Sequence, residues 1–233
     1  AQLDRARSEF IAKASHELRT PLFSLGGFLE LLDDEEMDEE TRAEFLVQMR
    51  LQVDRLAKLA TDLLDLSRLD AGRLTVARER VSLGSVASSV AAEFVVRARR
   101  QERLLAVEDG DAAALGDEQR ILQIARILVD NALLHTPPGT TVRLQAAQRG
   151  GTAVLVVEDE GPGIPEQEAA QVFERFHRLS GTVAAGSGLG LAIAREVAEL
   201  MGGRIELESK PGRTAFSLVL SVAAAADQQP VPA

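Results

Sequence analysis

Two leucine-rich stretches of helical periodicity, parted by a block of acids, limit what the first third of this chain can become. Phe10, Ala14, Leu18, Leu22, Leu25, Leu29 and Leu32 recur at spacings of three and four, and Leu46, Met49, Val53, Leu56, Leu59, Leu63, Leu66 and Leu69 continue the rhythm. That spacing gathers apolar side chains on one face of a helix. Between the two stretches lies Asp33-Asp34-Glu35-Glu36-Met37-Asp38-Glu39-Glu40. A run of like charge reads as a solvated turn rather than a metal site, because such blocks stay exposed. Two helices joined in this way make an antiparallel hairpin whose apolar stripes are too broad to satisfy each other. Pairing of two hairpins into a dimeric four-helix bundle is therefore expected. Ala71-Gly72 ends the second helix, since Gly accepts the left-handed conformation of a helix terminus.

Beyond Gly72 the pattern changes. Short β-like pieces near Arg78–Leu83, Arg103–Val107, Thr141–Ala147, Thr152–Glu158, Arg204–Ser209 and Ala215–Val222 alternate with helical stretches near Gly84–Arg99, Glu118–Leu134, Glu166–Phe173 and Leu189–Met201. The mixture predicts an α/β sandwich in which helices cover one face of a single sheet. The expected organisation is a helical domain over residues 1–72, a linker over 73–80, an α+β domain over 81–222, and a disordered Ala- and Pro-rich tail over 223–233.

Composition narrows the functional classes. The net charge of −10 argues against nucleic acid as a partner, because phosphate backbones repel an acidic surface. The absence of Cys excludes disulfides, thiol catalysis and Cys-ligated zinc. No apolar run approaches the roughly 20 residues of a membrane helix, and no signal peptide opens the sequence. The expectation is a soluble, cytoplasmic piece of something longer, since the sequence starts inside helical pattern.

Four segments carry chemistry. In Phe10-Ile11-Ala12-Lys13-Ala14-Ser15-His16-Glu17-Leu18-Arg19-Thr20-Pro21-Leu22, His16 lies off the apolar stripe and Thr20 follows one turn later on the same face. Pro21 removes a backbone hydrogen bond and is expected to bend the helix. A solvent-facing imidazole is a nucleophile, and the carboxylate of Glu17 can take or hold its other proton. A lone His there would read rather as a surface residue on a charged helix; it is the whole string that points to chemistry. Asp159-Glu160-Gly161-Pro162-Gly163-Ile164-Pro165 puts a carboxylate at a strand end before glycines, which suits a ligand approaching the backbone or simply a tight turn. Gly186-Ser187-Gly188-Leu189-Gly190 leads into an apolar helix and exposes amide donors where the dipole favours phosphate. The stretch before it reads as loop, not strand, and no Gly-Lys-Ser/Thr is present, so neither a dinucleotide fold nor a Walker loop fits. Ile127-Leu128-Val129-Asp130-Asn131-Ala132-Leu133-Leu134-His135-Thr136-Pro137 offers Asn131 and His135 on one helix.

Together, and in this order along the chain, these strings resemble those of bacterial sensor histidine kinases: a phosphoacceptor string, an asparagine box, a first glycine box, a Phe-containing box at Val172–Arg178 and a second glycine box. The resemblance implies that His16 accepts a phosphoryl group, that Glu17 assists, and that Thr20 positions water for dephosphorylation of the partner. It implies a GHKL-type nucleotide fold binding ATP and magnesium. There Asn131 ligates the metal, His135 lies against adenine and Asp159 recognises the adenine amine. Gly161, Gly163, Ile164 and Thr214 line the nucleotide, Arg178 approaches the terminal phosphate, and Gly186, Gly188, Leu189 and Gly190 cover the phosphates. The implied partners are a second copy of the chain and the receiver domain of a response regulator, with an inner-membrane anchor only through segments this sequence lacks.

Three departures stand out: Ile127 where a second polar residue helps the magnesium site, Leu134 where Lys or Arg reaches the phosphates, and a last glycine box near Gly212 one residue short. Each removes a ligand, a charge or a residue. They keep open a catalytically weak or inactive nucleotide-binding scaffold. A GHKL ATPase of the chaperone or DNA-repair kind shares the fold but leaves the His16 string unexplained.

Overall fold

The structure is a computed structural model that describes residues 2–32, 37–179 and 186–223, with side chains from Ser8 onward. The chain divides between Ala71 and Gly72 into two compact units.

The first unit is the hairpin, α1 (Gln2–Leu32) and α2 (Glu39–Asp70). Of the acidic run, Asp33–Glu36 lie outside the described residues. The rest is not a turn throughout, because Asp38 caps α2 and Glu39 and Glu40 form its first turn. The Thr41 N–H donates to Asp38 at 2.8 Å, which holds that carboxyl below its usual range. Acids at a helix N-terminus meet the positive end of the dipole, so the charge run starts a helix rather than avoiding one. α1 continues through Pro21, which is buried. Phe28 and Phe45 join the two helices with ring centroids 5.4 Å apart. Ala14, Leu59 and Leu66 are buried, yet Leu22, Phe23, Leu29, Leu31, Val47, Leu51 and Leu64 are each more than half exposed. One hairpin leaves much of its apolar surface uncovered.

The second unit carries β1 (Glu79–Ser82), α3 (Leu83–Arg100), β2 (Leu104–Val107), β3 (Ala113–Gly116), α4 (Glu118–His135), β4 (Thr141–Arg149), β5 (Thr152–Asp159), α5 (Gly190–Leu200), β6 (Arg204–Lys210) and β7 (Arg213–Ser221). A mixed sheet runs in the order β2-β4-β5-β7-β6, and β1 pairs with β3 separately. Glu79 and Arg80, placed in the linker by the sequence, pair with Gly116 and Leu115. β3 itself escaped the sequence reading, because Ala-Ala-Leu-Gly has little strand propensity. The predicted helix at Glu166–Phe173 is instead a series of tight turns ending in a 3-10 turn over Gln171–Phe173. Its amides bond mostly three residues back, as in Glu168 to Pro165 and Gln171 to Glu168. A segment this short gains little from an isolated α-helical ladder. Ala223, where the sequence starts the tail, is buried and its N–H donates to the Ala113 carbonyl at 2.8 Å. The remaining tail lies outside the described residues.

Register explains what the sheet presents to its neighbours. Val142, Leu144 and Ala146 stand beside Asp159, Val157 and Leu155, which in turn stand beside Thr214, Phe216 and Leu218. None of these nine exceeds 5% exposure. Ile121, Ile124, Leu128 and Leu133 of α4, Val90 of α3 and Ile193 of α5 complete the core, each at 1% or less. Burying a side chain of this size stabilises by roughly 1.5–3 kcal/mol. Asp159 and Thr214 are the two polar residues of this inward row, and both sit at its end. A buried polar pair closing an apolar row points to a site.

Candidate functional site

On the hairpin, α1 carries His16, Glu17 and Thr20 through the middle of a continuous helix. His16 and Thr20 are exposed and Glu17 is half-buried. The Thr20 hydroxyl donates to the His16 carbonyl at 3.3 Å, and Ser24 does the same to Thr20 at 3.2 Å. Such bonds back along the helix park short hydroxyls against the backbone. Pro21 lacks the N–H that would serve the Glu17 carbonyl, so the backbone is weakened directly after the string. The Glu17 carboxylate meets Arg55 of α2 at 3.4 Å.

In the second unit the site forms where α4, β5, β7 and the glycine segments meet. α4 ends in His135, and Thr136 caps it, its amide and hydroxyl both returning to the Ala132 carbonyl. Pro137 follows and fixes an extended exit. Thr136 is buried against Asp159, whose Oδ1 accepts the Gly161 N–H at 2.8 Å. Burial pushes the Asp159 carboxyl up to about 6, against the opposing pull of the Gly161 N–H and the Thr136 hydroxyl. Taking a carboxylate out of water disfavours its charged form, and one backbone donor with a hydroxyl nearby does not fully offset that. A side chain on Gly161 would begin 2.6 Å from Asp159 Oδ1 and fill the space beside the carboxyl. His135 is half-buried, and burial together with the nearby Arg178 disfavours its cation. That places Arg178 within electrostatic range of His135.

Thr214 stands opposite Asp159 in the β5–β7 register. Its hydroxyl lies 3.1 Å from Ser209 Oγ, which accepts the Ile164 N–H at 2.8 Å. The Gly212 N–H donates to the Gly161 carbonyl at 3.1 Å. Gly163 has φ 84 and lies so close to the Lys210 carbonyl that a Cβ would sit 2.6 Å from it. The first glycine box is thus tied to the β6–β7 hairpin. The last box is short because Lys210 pairs directly with Arg213 around Pro211-Gly212.

The second glycine box enters α5 with Leu189 buried at its N-cap and no side chain capping the first turn. Amides at that end remain donors for an anion. Gly188 has φ 69, its carbonyl accepts the Phe176 N–H at 2.8 Å, and a Cβ there would strike the His177 carbonyl. The segment before it is anchored too. Phe173 stacks edge-on against Phe216 at 6.1 Å, Arg195 lies over the Phe173 ring, and Arg175 pairs with Glu196 at 2.9 Å. Residues 180–185, between the two, lie outside the described residues.

The two departures on α4 acquire a place. A Cβ on Gly190 would lie 3.2 Å from Ile127 Cγ2, and one on Gly186 would lie 3.4 Å from Leu134 Cδ2. Ile127, Asn131 and Leu134 share a helix face, so an apolar residue flanks Asn131 on either side beneath the glycines.

The donor set fits a nucleotide: a buried carboxyl acceptor for an amine, a half-buried ring at its side, glycines leaving backbone room and an uncapped helix start for phosphates. Among the described residues no group of three His, Cys, Asp or Glu could hold a metal, and the Asn131 amide oxygen is the ligand the sequence offers for magnesium. Magnesium commonly keeps waters and phosphate oxygens as ligands, so one protein oxygen is compatible with it. The structure brings Asn131, His135, Asp159, Gly161, Gly163, Ile164, Arg178, Thr214 and the second glycine box into one region of the second unit. His16, Glu17 and Thr20 belong to the other unit. Sequence reading missed Thr136, Ser209 and Arg55. Only Thr136 left a trace, standing before the Pro that ends α4.

Both units resemble known proteins. Residues 6–72 match the model of the His Kinase A (phospho-acceptor) domain, and residues 116–224 match that of the histidine kinase-, DNA gyrase B- and HSP90-like ATPases. The chain is 37% identical over 215 residues to the probable sensor histidine kinase TcrY of Mycobacterium tuberculosis, covering 91% of this chain and 45% of TcrY. It thus spans less than half the length of that relative. A solved structure of the mycobacterial sensor histidine kinase MprB is 34% identical, with 64% of this chain and 99% of that one covered and a TM-score of 0.55. The histidine kinase AdeS of Acinetobacter baumannii is 25% identical over 90% of this chain and 98% of its own, with a TM-score of 0.73.

Proposed function

The chain belongs to the bacterial sensor histidine kinases, and from that premise we propose that it phosphorylates its own His16 from magnesium-ATP and passes the phosphoryl group to an Asp of a response regulator. The observation that carries this reading is the pairing of a solvent-exposed His16 on one unit with a buried Asp159, bounded by glycines and an uncapped helix start, on the other.

Asp159 accepts the adenine amine, and selectivity follows because an isostere lacking that donor leaves a buried carboxylate unpaired. His135 packs at the side of the base in its neutral form. The amides from Gly188 onward and Arg178 neutralise phosphate charge, so catalysis is mainly positioning and electrostatics. When bound, magnesium supplies further charge neutralisation on the phosphates, with Asn131 as its protein ligand. The His16 imidazole attacks the γ-phosphorus while Glu17 takes or holds the proton of the other ring nitrogen. Thr20 positions the water that dephosphorylates the regulator, and release of its bond to the His16 carbonyl frees the hydroxyl for that task. His16 must reach a nucleotide held by the other unit, which makes the short connection around Gly72 to Glu79 the candidate hinge. The uncovered apolar residues of the hairpin support a homodimer.

Replacing His16 by Gln is expected to abolish phosphate incorporation while nucleotide affinity stays within about twofold, since no contact to the base is lost. Label retained on that variant would contradict the assignment. A second reading, a weak or inactive scaffold, is favoured by Ile127 and Leu134 packing toward the glycines where polar ligands are expected. Nucleotide titration with and without magnesium separates the two: a kinase binds tighter with the metal, and a scaffold shows no such dependence.

A further inference from the structure

The hairpin brings a side chain of α2 to the phosphoacceptor string. Arg55 Nη2 lies 3.4 Å from Glu17 Oε2, and the two side chains are only 23% and 22% exposed. Exposed ion pairs contribute little, but partial burial reduces screening and holds both chains in one geometry. Successive residues of a helix point about 100° apart, so a Glu17 that reaches α2 leads away from the solvent-facing His16. Among the described residues the Glu17 carboxylate bonds to Arg55, and no hydrogen bond joins it to the His16 ring.

We propose that Arg55 is a positioning residue that keeps Glu17 turned toward α2 and off the His16 imidazole, so that His16 becomes fully reactive only when this pair opens. The inference rests on autophosphorylation at His16. In that step one ring nitrogen forms a bond to the γ-phosphorus as the bond to the bridging oxygen breaks. ADP departs with that electron pair, and the proton on the other ring nitrogen passes to a carboxylate. A base must lie within hydrogen-bond reach, roughly 2.6–3.2 Å, of the proton it takes. While Arg55 holds Glu17, no carboxylate among the described residues is bonded to the His16 ring. Because the pair bridges α1 and α2, any displacement of one helix along the other acts directly on it. The pair therefore links the register of the hairpin to the chemistry of His16.

The test is single-turnover labelling of the full 233-residue chain with γ-labelled magnesium-ATP. Arg55→Gln removes the charge and keeps the length, and Arg55→Met repeats the test with a different fold risk; melting temperatures confirm that each folds. Both are expected to raise the labelling rate at saturating ATP about three- to tenfold with the half-saturating ATP concentration unchanged, the pattern of a change in chemistry rather than binding. Arg55→Lys is expected to retain most of the restraint. In a Glu17→Gln background the same Arg55 changes are expected to give no increase, because the benefit acts through Glu17. An unchanged or slower Arg55→Gln enzyme, or an equal gain without Glu17, would overturn the proposal. Absence of any label on the unaltered chain would instead overturn the kinase reading beneath it.

Discussion

At the scale of single residues, Asp159 sets the carboxyl of the proposed adenine contact against the interest of the fold. Its carboxyl is pushed up to about 6 by burial. The sign of the linkage follows: stability from this group is complete below the unfolded value near 4 and is lost as pH rises through about 6. A shift of about two units costs the unliganded fold on the order of 3 kcal/mol at neutral pH. Asp159→Asn is therefore expected to raise the melting temperature of the unliganded protein near pH 7.5 and to change it little near pH 4, by calorimetry. The same variant is expected to weaken ATP binding about 10- to 100-fold, the scale of a lost hydrogen bond to a charged group. In the unaltered chain, nucleotide affinity is expected to fall as pH drops below about 6, and titration calorimetry across that range checks it. Asp159 was legible in the sequence as a polar residue ending an apolar run. Thr136 and Ser209 were not, because their roles come from a helix end and a strand register that meet only in the folded unit.

At the scale of elements, α4 carries both the resemblance to the family and the departure from it. Asn131 and His135 stand on it as the sequence predicts, but the reason for Ile127 and Leu134 needed the positions of Gly190 and Gly186. An apolar residue beneath a glycine segment is a local packing solution that no reading of one helix can reveal. Replacing the pair as Ile127→Asn with Leu134→Lys is expected to increase the magnesium dependence of ATP affinity by about three- to tenfold, since an oxygen ligand and a phosphate-facing charge are restored. No gain, with the fold intact, would assign the two residues to packing alone. The segment Glu166–Phe173 shows the opposite lesson. Its composition suits a helix, yet Phe173 is drawn to Phe216 and the backbone takes tighter turns. From Asp38 onward the acidic run stays exposed but starts a helix rather than forming a turn, because capping, a local interaction, outweighs the repulsion of like charges at a helix start.

At the scale of the whole molecule, two units with different physical problems share one chain. The nucleotide unit closes its own core, with residues of α3, α4, α5 and the sheet fully buried. The hairpin does not. Leu22, Phe23, Leu29, Val47, Leu51 and Leu64 remain more than half exposed, a surface that a second hairpin would cover. Sedimentation is expected to show a dimer of the chain. Val47→Glu with Leu51→Glu, one turn apart on α2, is expected to shift it toward monomer while ATP binding persists. A monomeric unaltered chain would remove the basis for the four-helix bundle. The sequence stripes pointed to uncovered surface at Leu22 and Leu29, whereas Phe23, Val47, Leu51 and Leu64 lie off those stripes and emerged only in the structure. What most directly tests the central claim is the chemical stability of label acquired from γ-labelled ATP with magnesium. The account predicts label on the protein that survives base, is lost in acid and disappears with His16→Gln. Label stable to acid, or no label on a folded protein that binds ATP with magnesium, would contradict it.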